Sequence, residues 1–144
     1  MPSPLFRRFA LISSLALVAA GTSACDGNDP TTPTTPTTPT TTVTETFAGS
    51  VTTNGAASFT FPTGAAGSVT ATLRSITPTS TIQLSLALGT WNGVNCQIVL
   101  TNDRATTGGS ITGSVSGAGT LCVRISDIGQ VSGSAGFEVV VVHP

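Results

Sequence analysis

Few side chains in this sequence could perform acid–base or nucleophilic chemistry. His143 is the sole histidine, and it follows a predicted strand at the penultimate position of the sequence. A triad base needs a carboxylate and a nucleophile held beside it, and we expect a frayed strand end to provide no such setting. The sequence contains no Gly-x-Ser-x-Gly elbow, no phosphate-binding loop and no His/Cys spacing suited to zinc. We therefore expect a protein that is not an enzyme.

Hard oxygen ligands occur in two stretches that we expect to be loops after strands. Asn102 and Asp103 lie in "TNDRA", and Asp127 lies in "SDIG". Together they offer the amide and carboxylate oxygens that Ca²⁺ prefers, so one hypothesis is a calcium site, and we expect no other cofactor. The favoured alternative is that these side chains accept hydrogen bonds from the local backbone and form turns.

Trp91 and Asn92 lie in the turn-like stretch "GTWNGVN" and are the candidate ligand-binding residues. An indole exposed in a loop is a platform for stacking on a sugar ring or another apolar partner. The favoured alternative is a structural role, in which Trp91 covers one open end of the domain.

The N-terminus has the anatomy of a secretory signal peptide, which we assign to residues 1–24. Arg7 and Arg8 precede an apolar run from Phe9 to Ala20, and small residues follow it. A membrane-spanning helix needs roughly 20 apolar residues, so a permanent transmembrane anchor is the less favoured alternative.

The residues Thr22-Ser23-Ala24-Cys25 resemble the lipobox of bacterial lipoproteins, with Thr22 where that family usually has Leu. The resemblance implies that Cys25 is diacylated, becomes the mature N-terminus and anchors the protein to a membrane of the cell envelope. We expect the outer membrane or the cell surface. The alternative is ordinary cleavage near Ala24, which leaves Cys25 as a free or disulfide-bonded thiol.

The other two cysteines are predicted to form a disulfide. Three cysteines in an exported protein leave one without a partner, and Cys25 lies outside the predicted domain. Cys96 and Cys122 fall in predicted strands and would be oxidised together in an export compartment. Strict alternation places them on opposite faces, and a β-bulge or a strand start at Cys96 would reconcile them.

Residues 25–42 are predicted to be a disordered linker that begins at the lipidated cysteine. Proline recurs at every third residue from Pro30 to Pro39, separated by threonine pairs. This spacing favours polyproline II geometry, in which the segment after Cys25 would extend about 50 Å.

Residues 43–144 are predicted to form an all-β domain. Apolar residues alternate with Thr, Ser, Gln and Arg, which predicts strands that each bury one face. About eight such strands indicate an antiparallel β-sandwich of the jelly-roll kind. Asn54-Gly55 predicts a hairpin turn. The predicted strands are 43–50, 56–61, 67–76, 80–88, 96–101, 110–116, 119–126 and 136–142.

The stretches "ETFAGSVTTNGAASFTF" and "GSVTATLRSITPTSTIQLSLALGTWNGVNC" resemble bacterial pre-peptidase C-terminal domains, as does the last strand region "FEVVVVHP". The resemblance covers nearly all of 43–144 and implies a β-sandwich with a role in polymer binding or surface display. It transfers no site residues.

The charge of the chain restricts its partners. Removal of the signal peptide leaves three arginines against six carboxylates, a formal net charge of −3, and Lys is absent. Nucleic-acid binding needs a dense cationic surface, so we exclude it. We expect a non-enzymatic envelope lipoprotein for adhesion or for binding an extracellular polysaccharide or protein. The alternative is a carbohydrate- or peptide-binding accessory module of a secreted system, and a hydrolase is the least favoured alternative.

Overall fold

The computed structural model describes residues 41–144, and these residues contain eight β-strands and no helix. The predicted signal peptide and nearly all of the predicted linker, including Cys25, lie outside the described residues. The strands are β1 (Val43–Thr52), β2 (Ala56–Thr63), β3 (Gly67–Thr77), β4 (Leu84–Trp91), β5 (Cys96–Ala105), β6 (Ser110–Val115), β7 (Gly119–Asp127) and β8 (Ser134–His143).

The strands form two four-stranded antiparallel sheets that pack face to face. One sheet has the order β1-β8-β3-β6, and the other has the order β2-β7-β4-β5. Only the β4–β5 connection stays within a sheet, and every other connection crosses to the opposite sheet. This arrangement is an eight-stranded jelly roll, which confirms the predicted fold class.

The core lies between the sheets and consists of the apolar half of each alternating strand. Leu84, Leu86, Val123 and Ile125 come from one sheet and are each 0% exposed. Residues such as Leu73 and Val139 face them from the other sheet. The phenylalanines form a cluster toward β1 and β2, with Phe47 and Phe59 stacked at 5.2 Å between ring centroids.

The turn at Asn54-Gly55 is present, but the hairpin predicted around it is wrong. The turn spans Thr52 to Gly55, with Gly55 N–H donating to Thr52 O, and Asn54 is its third residue with a φ of 58°. However, β1 pairs with β8, and β2 pairs with β7. The turn therefore carries the chain from one sheet to the other instead of joining neighbouring strands.

Candidate functional site

The strand directions place the loops at two ends of the sandwich. We call the end at which the chain enters β1 at Val43 the proximal end and the opposite end the distal end. The proximal end carries loops 64–66, 92–95 and 116–118, and the distal end carries loops 53–55, 78–83, 106–109 and 128–133. Hydrogen bonds confirm the grouping, since Gly64 N–H donates to Pro144 O and Thr53 N–H donates to Gly133 O.

Trp91 and Asn92 lie at the proximal end, on the side where the chain enters. Trp91 is the last residue of β4 and not a loop residue as predicted, and its side chain is partly buried. Asn92 Oδ1 accepts hydrogen bonds from the N–H groups of Val94 (3.0 Å) and Asn95 (2.7 Å). The amide of Asn92 is therefore engaged in holding the β4–β5 turn, which fixes Val94 at its tip.

The disulfide between Cys96 and Cys122 is present. A bulge between β4 and β5 explains how the two cysteines meet. Leu88 is aligned with Leu100 while Gly89 is aligned with Ile98, so Val99 is the extra residue. Because of this extra residue, the side chains of β5 that precede Val99 point to the face opposite to the one that alternation from Leu100 predicts. Cys96 therefore lies on the outer face of the sheet, as Cys122 does.

Gly89 permits the close approach that the disulfide needs. β4 lies between β5 and β7, so the bond joins two strands that are not hydrogen-bonded neighbours. Gly89 is aligned with both Cys122 and Ile98 in the register. A Cβ atom at Gly89 would overlap the carbonyl group of Gln97, so a side chain at this position would push β5 away.

Asp127 organises the distal end. Its Oδ1 accepts hydrogen bonds from the N–H groups of Gly129, Gln130 and Val131 at 2.8–3.0 Å, and its Oδ2 accepts one from Asn54 N–H at 2.9 Å. The bond from Asn54 is the largest cause that lowers the pKa of Asp127 from its ordinary value of 3.8. Desolvation opposes it, and the three loop N–H groups lower the pKa further. One carboxylate thus holds two distal loops together.

The three residues of the hypothetical calcium site use their oxygens for internal hydrogen bonds. Asn102 and Asp103 both lie within β5, not in a loop as predicted, and Asp103 Oδ1 accepts a 2.7 Å hydrogen bond from Ser85 Oγ. Asn102 Oδ1 accepts one from Arg104 N–H at 3.2 Å. Within 41–144 no group of three or more His, Cys, Asp or Glu side chains is arranged to hold a metal ion. Asp127 accepts the local N–H bonds that the turn-forming alternative describes, whereas Asn102 lies in a strand and forms no turn.

His143 is buried, contrary to the expected frayed end. The ring is 2% exposed because His143 shares the buried parity of Val139 and Val141 on β8. Its Nε2 lies 3.2 Å from Glu45 Oε1, and its Nδ1 lies 3.1 Å from the carbonyl oxygen of Pro144. Its ring centroid is 5.0 Å from that of Phe61. Both ring nitrogens are occupied, so His143 fastens β1 to β8 and is not available to a substrate.

An apolar cleft of about 130 Å³ lies between β5 and β6, the edge strands on one side of the sandwich. The cleft was not predicted, because alternation in the predicted strand 96–101 makes Ile98 and Leu100 buried, whereas they are 41% and 38% exposed. The signal was the unbroken run Ile98-Val99-Leu100, which departs from alternation and is typical of a bulged edge. The cleft is lined by Val69, Leu88, Val99, Leu100, Val115 and Leu121.

No protein-family model matches the sequence, and no curated protein is significantly similar to it. Across residues 41–144 the structure has no helix of sufficient length and apolar character to cross a membrane.

Proposed function

We propose that this chain is a non-enzymatic lipoprotein of the cell envelope. In this proposal Cys25 carries the acyl chains, the Thr/Pro segment is a spacer, and the jelly roll presents its distal loops to the outside for adhesion or for binding an extracellular polymer. The proposed location is the outer membrane or the cell surface.

The position of Val43 is the observation that carries the proposal. A tether attached there leaves the distal end as the part of the domain farthest from the anchor. Four loops meet at that end, and the hydrogen bonds of Asp127 and of Thr53 Oγ1 to Val131 O hold two of them, 53–55 and 128–133, in place. Loops held on a rigid sheet scaffold are a frequent location for binding residues.

The chemistry of the distal loops favours an uncharged hydrophilic partner. Loops 53–55, 78–83, 106–109 and 128–133 consist mostly of Thr, Ser, Asn, Gln and Gly and carry no charged side chain, and Ile128 is the one large apolar side chain exposed in them. Hydroxyl and amide groups of this kind exchange hydrogen bonds with the hydroxyl groups of a neutral polysaccharide. The polar atoms of Asp127 and His143, in contrast, are occupied by the protein itself.

Detergent phase separation tests the anchoring. The native protein should enter the detergent phase, because about two acyl chains suffice for firm membrane anchoring. The Cys25→Ser variant should remain in the aqueous phase. Wild-type protein recovered from the aqueous phase would contradict the proposal.

A glycan array tests the distal end with a matched pair of amide deletions. Gln130→Ala removes an exposed amide from a distal loop, and Asn95→Ala removes an exposed amide from the proximal turn. We expect Gln130→Ala to weaken binding roughly fivefold, the loss of about one net hydrogen bond, with Asn95→Ala unchanged. If the two variants change binding equally, the distal end is not the binding surface.

A further inference from the structure

Charged side chains are concentrated in the distal half of the described domain. Of the seven Asp, Glu and Arg residues in 41–144, only Glu45 lies in the proximal half of its strand, and it is paired with the buried His143. The other six lie in distal strand halves: Arg74, Asp103, Arg104, Arg124, Asp127 and Glu138.

Exposed large apolar side chains show the opposite distribution. Seven are at least 36% exposed in the described residues, and only Ile128 lies at the distal end. The proximal loops and the proximal strand halves carry the other six: Val43, Val94, Ile98, Val99, Leu100 and Val142. A concentration of exposed apolar side chains at one end of a domain, with Glu45 as the single charged side chain in that half of the described strands, is typical of an interaction surface.

The β4–β5 turn is the most prominent apolar projection of this surface. Val94 is 74% exposed, the largest value among these residues. The two hydrogen bonds to Asn92 Oδ1 hold the turn, so little conformational entropy is lost when Val94 is buried against a partner. The neighbouring proximal loops, 64–66 and 116–118, read "GAA" and "SGA" and carry no charge.

We infer that the proximal end docks on a lipid bilayer, with Val94 at the point of contact and Trp91 close to the interface. The inference rests on the proposed anchoring at Cys25. The preceding chain joins the domain at this same end, and a linker of about 50 Å keeps the end at a high effective concentration near the membrane. Uncharged loops with an apolar tip enter the headgroup region at a low free-energy cost, whereas charged side chains are costly to bury in a membrane.

The docking is apolar and not electrostatic. The proximal half offers no Lys or Arg side chain to anionic headgroups. Docking should therefore be the same on phosphatidylcholine vesicles with and without phosphatidylglycerol, and added salt should not weaken it.

Trp91 is the sole tryptophan, so its fluorescence reports on this end of the domain alone. Acylated protein reconstituted into vesicles that contain brominated phosphatidylcholine should show quenched Trp91 emission. Val94→Asp should abolish most of the quenching, because the lost burial of one valine lowers partition by about tenfold or more. Ile128→Asp places the same substitution at the distal end and should leave quenching unchanged. Thermal unfolding of both variants verifies that the fold is intact.

Three results would overturn the inference. The first is that Trp91 fluorescence in the acylated protein is not quenched. The second is that Val94→Asp and Ile128→Asp lose the same amount of quenching. The third is a concentration-dependent dimer in which a second copy shields Trp91 without vesicles. The Cys25→Ser protein separates this inference from the proposed function. If the Cys25→Ser protein still binds vesicles through Val94, the docking is supported independently of the lipid anchor. If the acylated protein enters the membrane fraction but shows no quenching, the anchoring is supported and the docking is wrong.

Discussion

At the scale of single residues, Asp127 has the largest share in ordering the distal loops. Four backbone N–H groups donate to its two oxygens, two loops meet at it, and its pKa is lowered as a result. The sequence predicted a turn-forming role for Asp127 from "SDIG". It could not predict the bond from Asn54, which lies 73 residues away in the chain.

The Asp127→Asn variant should unfold at a lower temperature than wild type at pH 7. The neutral amide accepts these hydrogen bonds more weakly than the carboxylate does. A depressed pKa in the folded state means that the ionised carboxylate stabilises the fold above pH 3.8, and that this stabilisation is lost as the pH falls through the folded value. The difference in melting temperature should therefore shrink below pH 3.8. A difference that stays constant from pH 7 to acid conditions would show that the charge of Asp127 is not responsible.

The Gly89→Ala variant should lose about 1–3 kcal/mol of unfolding free energy, because the added methyl group forces β5 away from β4. Gly117→Ala is the matched control, since a Cβ atom there meets no atom within 4 Å. Chemical denaturation measures both values. A Gly89→Ala protein as stable as the control would contradict the close approach.

At the scale of the strands, alternation predicted most of the elements but not their pairing. β8 shows why the strands could be predicted from the sequence. Its residues Phe137, Val139 and Val141 are all buried, and they alternate with partly exposed or exposed residues. β4 begins at Leu84 and not at 80, because a turn in which Ile82 N–H donates to Thr79 O occupies the preceding residues. The partner of each strand depends on long-range packing, for which a single sequence carries no local signal.

The disulfide was predicted from cysteine number and compartment, and its effect follows from the strands that it joins. The bond closes a separation of 26 residues between β5 and β7. On the chain-entropy model this closure contributes about 3.5 kcal/mol. A Cys96→Ala/Cys122→Ala double variant should lose about that amount in urea denaturation. A loss below about 1 kcal/mol would show that the unfolded chain is not appreciably restrained by the bond.

At the scale of the whole molecule, the jelly roll has two chemically different ends. The proximal end carries the point where the chain enters, Trp91 and most of the exposed apolar side chains, whereas the distal half carries most of the charge. The sequence placed Trp91 among the candidate ligand contacts because it could not specify the end to which the residue belongs. The strand order places Trp91 at the same end of the domain as Val43.

The proposed orientation depends on the acylation of Cys25, which the intact mass of the mature protein from native membranes measures directly. We expect an N-terminus at Cys25 that carries at least two acyl chains. A mature chain that begins at another residue, or one that begins at Cys25 with an unmodified thiol, would contradict the account.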